Sequence, residues 1–334
     1  MNEHVGMGGG MSAGGRDPES VKSRWQSTQA QFFGIGAFYV AVVIFFALTS
    51  DYFFSYSNAL NILTNVTVIG IVALGQTLAI VSGGFDLSVS GVVPLGAVTF
   101  VIFGNAEMAT PAAMLLAVLV GAAVGVCNGL IVTKVGINPL IATLGTLSIA
   151  AGLAYALSNG VTIPMKNIEV GVLAERTYGR VPYYVVTLIG LSLVIWFAMR
   201  FTVIGRRIYA IGGNREASRL AGLRVDEITI AIYATCAGLA AFAGVVVSSQ
   251  LLAGSATVGA DAALTSIASV ILGGAALFGG VGGVGGTLLG VLVLGTIANG
   301  MALLMVPAFY QQIATGVILL LAVGFGRFRA VMSG

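Results

Sequence analysis

The stretch ITIAIYATCAGLAAFAGVVVSSQLL, Ile228 to Leu252, contains no charged side chain. A helix needs about 20 apolar residues to cross roughly 30 Å of hydrocarbon. In that solvent every backbone N–H and C=O must be bonded within the segment, so the stretch predicts a membrane-spanning helix. The rest of the chain reads the same way. No charge falls between Arg24 and Asp51, Asp51 and Asp86, Glu107 and Lys134, Lys134 and Lys166, Glu227 and Asp261, or Asp261 and Arg327. Of 334 residues, 57% are hydrophobic and 8% charged, against about 25% charged in a water-soluble domain. Lipid is the solvent for most of this chain.

The apolar runs predict an all-α membrane protein with about ten transmembrane helices: Phe32–Ser50, Leu60–Val81, Ser88–Gly104, Ala112–Thr133, Pro139–Ser158, Tyr183–Met199, Ile228–Leu252, Leu264–Phe278, Gly285–Leu304 and Phe309–Val323. The third and eighth are short and flanked by glycine, so they are not expected to cross as simple rods. Residues 1–28 read as a disordered tail with no signal-peptide core, and 29–334 as one transmembrane domain. With both termini in the cytoplasm, twelve of the fifteen Lys and Arg fall inside, six of them in the loop 200–227, as the positive-inside rule requires. The net charge of +3 is thus a matter of topology and implies no nucleic-acid partner. Cys127 and Cys236 fall in predicted spans and read as apolar packing residues, not a disulfide.

Two stretches echo each other. Cys127-Asn128-Gly129 followed by Ile141-Ala142-Thr143 is matched by Ala298-Asn299-Gly300 followed by Ile313-Ala314-Thr315. Spans two to five thus repeat as spans seven to ten, and the odd offset inverts the second copy. Inverted repeats place a transport pathway at their interface. Of the 48 glycines, Gly121, Gly125 and Gly129 recur at intervals of four, as do Gly282, Gly286 and Gly290. Such stripes allow close helix approach; packing within the chain and a subunit contact are the two readings.

In the loop 200–227, Asn214 suits a helix N-cap, 215–221 a short helix, and Gly222 its stop. A helix this short is not stable alone and is expected to dock on something. The segment Gly213-Asn214-Arg215-Glu216-Ala217-Ser218-Arg219-Leu220-Ala221-Gly222 resembles the coupling segment of permease subunits of ribose-type ABC importers. Gly83-Gly84-Phe85-Asp86-Leu87-Ser88-Val89, Asn138 to Gly145 and Gly273 to Gly280 resemble the same family, which covers about Asn58 to Val323. Two departures are Ser90 ahead of Gly91, where glycine is expected first, and the outer loop Asn159–Val181. The resemblance implies an inner-membrane, binding-protein-dependent permease for a monosaccharide or polyol. It also implies a second permease copy or a paralogue, two cytoplasmic ATPases that bind ATP and Mg, and an extracytoplasmic sugar-binding protein. Asn214, Arg215, Glu216, Ala217, Ser218, Arg219, Leu220, Ala221 and Gly222 would fit a cleft in the ATPase.

Other candidates come from the residues themselves. Asn61, Asn65, Gln76 and Thr77 are neutral polar groups in the second span, suited to a pathway for hydroxyl-bearing cargo or to interhelical hydrogen bonds. Asp86 and Ser88 suit either an ionisable pathway site or a cap on the third span. Lys166, Glu169, Glu175, Arg176 and Arg180 make a charged outer loop, either a docking surface or simply solvated. There is no Gly-x-x-x-x-Gly-Lys-Ser/Thr phosphate loop, no metal cluster and no Ser/His pair, since the single His4 is in the tail. An enzyme is therefore not expected. An ion-coupled transporter, the alternative reading, would need more buried carboxylates than Asp86 and Asp261.

Overall fold

The computed structural model describes residues 18–166, 176–177, 181–318 and 320, with side chains for 33–166, 181–318 and 320. The helices are α1 (Pro18–Thr49), α2 (Tyr56–Val81), α3 (Val89–Asn105), α4 (Thr110–Leu130), α5 (Pro139–Ser158), α6 (Tyr183–Phe201), α7 (Val203–Gly213), α8 (Arg215–Leu220), α9 (Val225–Leu251), α10 (Ala262–Leu272) and α11 (Val284–Leu303), followed by α12 at 308–318. Two-residue strands supply the only sheet among the described residues: β1 (Ile163–Pro164) pairs with β4 (Ala253–Gly254), and β2 (Arg176–Thr177) with β3 (Val181–Pro182). The result is an all-α membrane protein. Six helices are long and apolar enough to cross a bilayer: α2, α4 with its extension, α5, α6, α9 and α11.

The starts and stops follow local chemistry. Ser55 caps α2 by accepting from Asn58 N, and Asn138 caps α5 by accepting from Leu140 N, each with a side-chain oxygen. The five residues Ile131–Val135 extend α4 as a π-turn that stops at left-handed Gly136, φ +78°. α1 begins at Pro18, inside the stretch expected to be tail.

The eighth predicted span, Leu264–Phe278, is a helix only in part. α10 has 11 residues, about 16 Å at 1.5 Å each, well short of the hydrocarbon thickness. It stops because Gly273-Gly274 follows and Gly274, Gly279 and Gly280 hold φ of +93°, +88° and +75°. Apolarity carried the expectation across a glycine loop. The third predicted span does form a helix, α3, of 17 residues with Pro94 inside it. It is apolar all round because protein surrounds it: Val89, Val92, Val93, Val98, Phe100 and Val101 are fully buried.

α9 is the hub, packed against α4, α3 and α2, and α2 in turn packs against α11, α10 and α6. α5 lies on α3, and α1 lies on α11. The Gly121/Gly125/Gly129 stripe faces α9. A Cβ at Gly125 would lie 2.2 Å from the Tyr233 carbonyl oxygen, and one at Gly129 2.6 Å from Ile230 Cα. Gly286 and Gly290 press against α10 in the same way, with Cβ positions 2.0 Å from Gly273 O and Ser269 O. Both stripes make packing contacts within the chain. Large apolar side chains point outward from α5 and α6, among them Ile141, Ile149, Val194 and Ile189, as a lipid-facing surface requires. Cys127 is exposed and Cys236 buried, and neither forms a disulfide.

Candidate functional site: a capped helix, a glycine junction and an asparagine cavity

The end of the bundle where Arg206, Arg207, Arg215, Arg219 and Arg224 cluster is the basic end. There α8 is defined at both termini. Asn214 is extended (φ −163°, ψ 107°), and its Oδ1 accepts from Ala217 N at 2.9 Å. At the other terminus Gly222 is left-handed, φ +80°. Leu223 N donates to Ser218 O at 3.0 Å and Gly222 N to Arg219 O at 2.9 Å, the paired bonds of a glycine helix stop. One side of α8 is strapped inward. Ser218 is buried; Arg215 Nη2 reaches Thr229 Oγ1 at 3.3 Å, and Arg219 Nη2 reaches Asp226 Oδ1 at 2.8 Å. Lys134 Nζ holds the other Asp226 oxygen at 3.0 Å, tying the end of α4 to the same point. The other side, with Glu216, Ala217, Leu220 and Ala221, is exposed, Leu220 to 83%. A cavity of about 320 Å³ bordered by Arg207, Gly222, Leu223 and Arg224 opens beside it.

Sequence reading missed α7. Thr202 caps it by accepting from Gly205 N, and Gly205, Ile208 and Ile211 are its buried residues. That spacing of three was the available signal, obscured by the adjoining arginines. Tyr209 Oη donates to Gly282 O at 2.8 Å, and burial pushes its hydroxyl pKa up, so it stays a donor. At the end of α7 three backbones meet. A Cβ on Gly212 would lie 1.8 Å from Val81 O and 2.6 Å from Gly280 N. Gly280 N itself donates to Val81 O at 2.8 Å, and a Cβ on Gly279 would fall 2.8 Å from Gly83 Cα. The segment leading into α8 is thus wedged against both the end of α2 and the loop after α10.

Just inside this junction, Asp86 and Ser88 are fully buried. Asp86 Oδ1 accepts from Ser88 N at 3.0 Å and from Ser88 Oγ, a local turn that starts α3. Asn128 Nδ2 donates to Ser88 Oγ at 2.8 Å, and Thr146 Oγ1 donates to Asn128 Oδ1 at 2.6 Å. Gln76 Nε2 donates to Asp86 O, and Tyr233 Oη to Phe85 O at 3.1 Å. One buried polar network therefore joins α2, α3, α4, α5 and α9. Thr77 lies apart from it, bonded to Thr287 of α11 at 2.7 Å. Asn128 and Thr146 were not predicted; only the fold brings them to Asp86.

Toward the opposite end, a cavity of about 300 Å³ lies between α2 and α11. Asn61 and Asn65 line it as exposed residues, joined by Asn58, Thr64 and Asn299, with Ala302 and Leu303 as the apolar part. Asn58, Asn61 and Asn65 sit one helical turn apart, a signal the sequence did offer; Asn299 comes from the other half of the chain. Asn58 Nδ2 donates to Phe53 O at 2.9 Å. Neither Asn58 Oδ1 nor Asn299 Oδ1 meets a donor among the described residues.

In the outer charged loop, Lys166 is exposed and its backbone N donates to Asn105 Oδ1 at 2.8 Å. Arg176 falls in β2, described as backbone only, and Glu169, Glu175 and Arg180 lie outside the described residues. The described residues hold no group of three His, Cys, Asp or Glu that could bind a metal.

Residues 58–323 match a family described as the branched-chain amino acid transport system / permease component. The ribose import permease protein RbsC of Escherichia coli (strain K12) is 38% identical over 297 residues, which cover 85% of this chain and 91% of that protein. Its counterpart from Bacillus subtilis (strain 168) is 34% identical over 294 residues, covering 86% and 90%. The L-arabinose ABC transporter permease protein AraH of Azospirillum brasilense is 34% identical over 296 residues, covering 89% and 87%.

Proposed function

Because the chain belongs to the branched-chain amino acid transport system / permease component family, we propose that it is the membrane subunit of an importer for a monosaccharide or related polyol, driven by separate ATPase subunits. The family's description names another cargo. The sugar assignment rests on the ribose and L-arabinose permeases, whose similarity spans nearly the whole chain. The observation that carries the mechanism is α8. Its arginine side is anchored to α9, and its small apolar side, with Leu220, is left open. Asn214 to Gly222 would seat in a cleft of the ATPase. Motion there would pass through α7 and the Gly212 junction to the end of α2 and the loop after α10 together.

In this reading the basic end faces the cytoplasm, both termini included, and the chain lies in a bacterial inner membrane. α2 to α5 and α9 to α12 form inverted repeats. Reciprocal packing supports that symmetry: α3 lies on α9 as α10 lies on α2, and α4 lies on α9 as α11 lies on α2. Two copies, or one with a paralogue, would enclose the path. Asn61 and Asn65 would line its outer part, while Gln76, Thr77, Asp86 and Ser88 would set the inner gate. Lys166, Glu175, Arg176 and Arg180 would orient the sugar-binding protein. An ion-coupled mechanism draws little support, since Asp86 is the only buried carboxylate among the described residues and is bonded to Ser88.

The test is reconstitution of the chain in vesicles with its ATPase and binding protein. Uptake of ribose, arabinose or allose should require ATP and be abolished by deletion of 215–221. Uptake driven by a sodium or proton gradient without ATP would overturn the proposal.

A further inference from the structure

The bend between α6 and α7 carries charge that the importer reading does not use. The ion pairs at the basic end are Lys134–Asp226, Arg219–Asp226 and Arg224–Glu227. Arg200, Arg206 and Arg207 are exposed and enter no ion pair among the described residues. Arg207 and Arg224 border the cavity of about 320 Å³, with Leu223 and Ile228 as its apolar part. Glu227 is the one carboxylate on that wall and is paired with Arg224 at 3.4 Å, so the charge of Arg207 is left uncompensated.

An apolar surface runs on from these arginines. On α6, Trp196 and Phe197 precede Arg200 by four and three residues, which sets them on its side of the helix. Trp196, Phe197 and Phe201 are all exposed, and the Phe201 ring centre lies 5.2 Å from that of Trp196 and 5.4 Å from that of Phe197. On α7, Val203 and Ile204 are exposed and precede Arg207 by the same four and three residues. A Cβ on Gly205 would lie 2.1 Å from Met199 O, so the first turn of α7 rests directly on the end of α6. The rings and the guanidinium groups therefore form one surface. Because α6 is long and apolar enough to cross a bilayer, its exposed rings meet acyl chains, where a water-soluble ATPase does not reach. Tryptophan at the membrane boundary beside a basic pocket is the chemistry of a lipid headgroup site.

We propose that this bend binds an anionic phospholipid of the adjoining leaflet. Arg207 holds its phosphate, with Arg200 and Arg206 beside it, and its acyl chains lie along Trp196, Phe201 and Ile204. The site depends on the basic end lying at a membrane surface and not on the cargo. An occupant would steady the first turn of α7, whose far end enters the Gly212 junction.

The experiment uses the full-length chain in phosphatidylcholine vesicles, with Trp25→Phe leaving Trp196 as the single tryptophan. Brominated phosphatidylglycerol or brominated phosphatidylcholine is titrated in at low mole fraction to quench its fluorescence. Half-quenching should need about ten-fold less of the anionic lipid. Arg207→Gln should cut that preference about five-fold, the equivalent of roughly 1 kcal/mol for one basic residue near a charged surface, and adding Arg206→Gln should remove most of the remainder. Arg207→Lys should keep most of it, and Lys166→Gln, in the outer loop, all of it. Both arginines are exposed, so the melting temperature should not move. Equal quenching by the two lipids, or an unchanged preference in the double variant, would overturn the site. Displacement by millimolar inorganic phosphate as complete as that by unbrominated phosphatidylglycerol would overturn it by assigning the cavity to a soluble anion. A double variant that keeps its lipid preference but no longer co-purifies with the ATPase would overturn it by giving these arginines to the ATPase.

Discussion

Gly212→Ala tests whether α7 transmits force. The added Cβ would lie 1.8 Å from Val81 O and 2.6 Å from Gly280 N, against the 3.4 Å at which ordinary contact begins. Both obstacles are backbone and cannot swing aside, so α7 and the end of α2 must part by roughly 1.5 Å in a close-packed interior. Such overpacking costs about 1–3 kcal/mol, and the shift also strains the Tyr209–Gly282 bond that holds α7 to the loop after α10. Gly213 is the matched control: the same helix end, but with nothing within 4 Å of its Cβ position. Gly213→Ala should be neutral or stabilise by up to about 1 kcal/mol. The assay counts ATP hydrolysed per sugar imported in proteoliposomes, alongside the melting temperature of the purified complex. Gly212→Ala should lower the melting temperature and raise the ATP consumed per sugar, while Gly213→Ala does neither. Indistinguishable coupling ratios for the two would refute the idea that motion passes through this junction.

Leu220→Asp should abolish binding of the ATPase, checked by co-purification, yet leave permease stability within about 0.5 kcal/mol, because the side chain is 83% exposed. Gly125→Ala should destabilise by about 1–3 kcal/mol, since its Cβ would sit 2.2 Å from Tyr233 O; Gly145→Ala, with open space around it, should not, and thermal melts in detergent would compare the two. Ser88→Ala removes a donor to Asp86 and the acceptor for Asn128 Nδ2; it should cost about 1–3 kcal/mol, and an unchanged melting temperature would show that the network is not structural.

Most of the helical layout was legible because a bilayer demands long uncharged runs, and Pro139–Ser158 and Ile228–Leu252 can hardly be read otherwise. The same signal failed at Gly273 to Phe278, where apolarity continues but the glycines, Gly274 left-handed, end the helix. It passed over α7, whose buried spacing is interrupted by Arg206 and Arg207. At the candidate site, the caps of α8 were legible because Asn and Gly act locally. Asp86 and Ser88 suited a cap on the third span, but α3 starts without a side-chain cap, and Asp86 instead closes a turn with Ser88 two residues on. Asn128, which bonds Ser88, and Thr146, which bonds Asn128, were not legible, nor was the shared cavity of Asn58 and Asn299: these are neutral side chains far apart in the chain, and only tertiary packing gathers them.

Because α3 lies on α9 and α10 on α2, neither half of this chain owns a finished interior. During synthesis the first helices leave the ribosome long before their mates exist. The turn at Phe85 and Asp86 therefore lacks the Tyr233 hydroxyl that bonds the Phe85 carbonyl until α9 is made. α1 waits longer still, since Phe46 finds its seat against Gly300 only after nearly the whole polypeptide has been inserted. A chain truncated before α9 would therefore leave the faces of α2, α3 and α4 that pack on α9 without their cover.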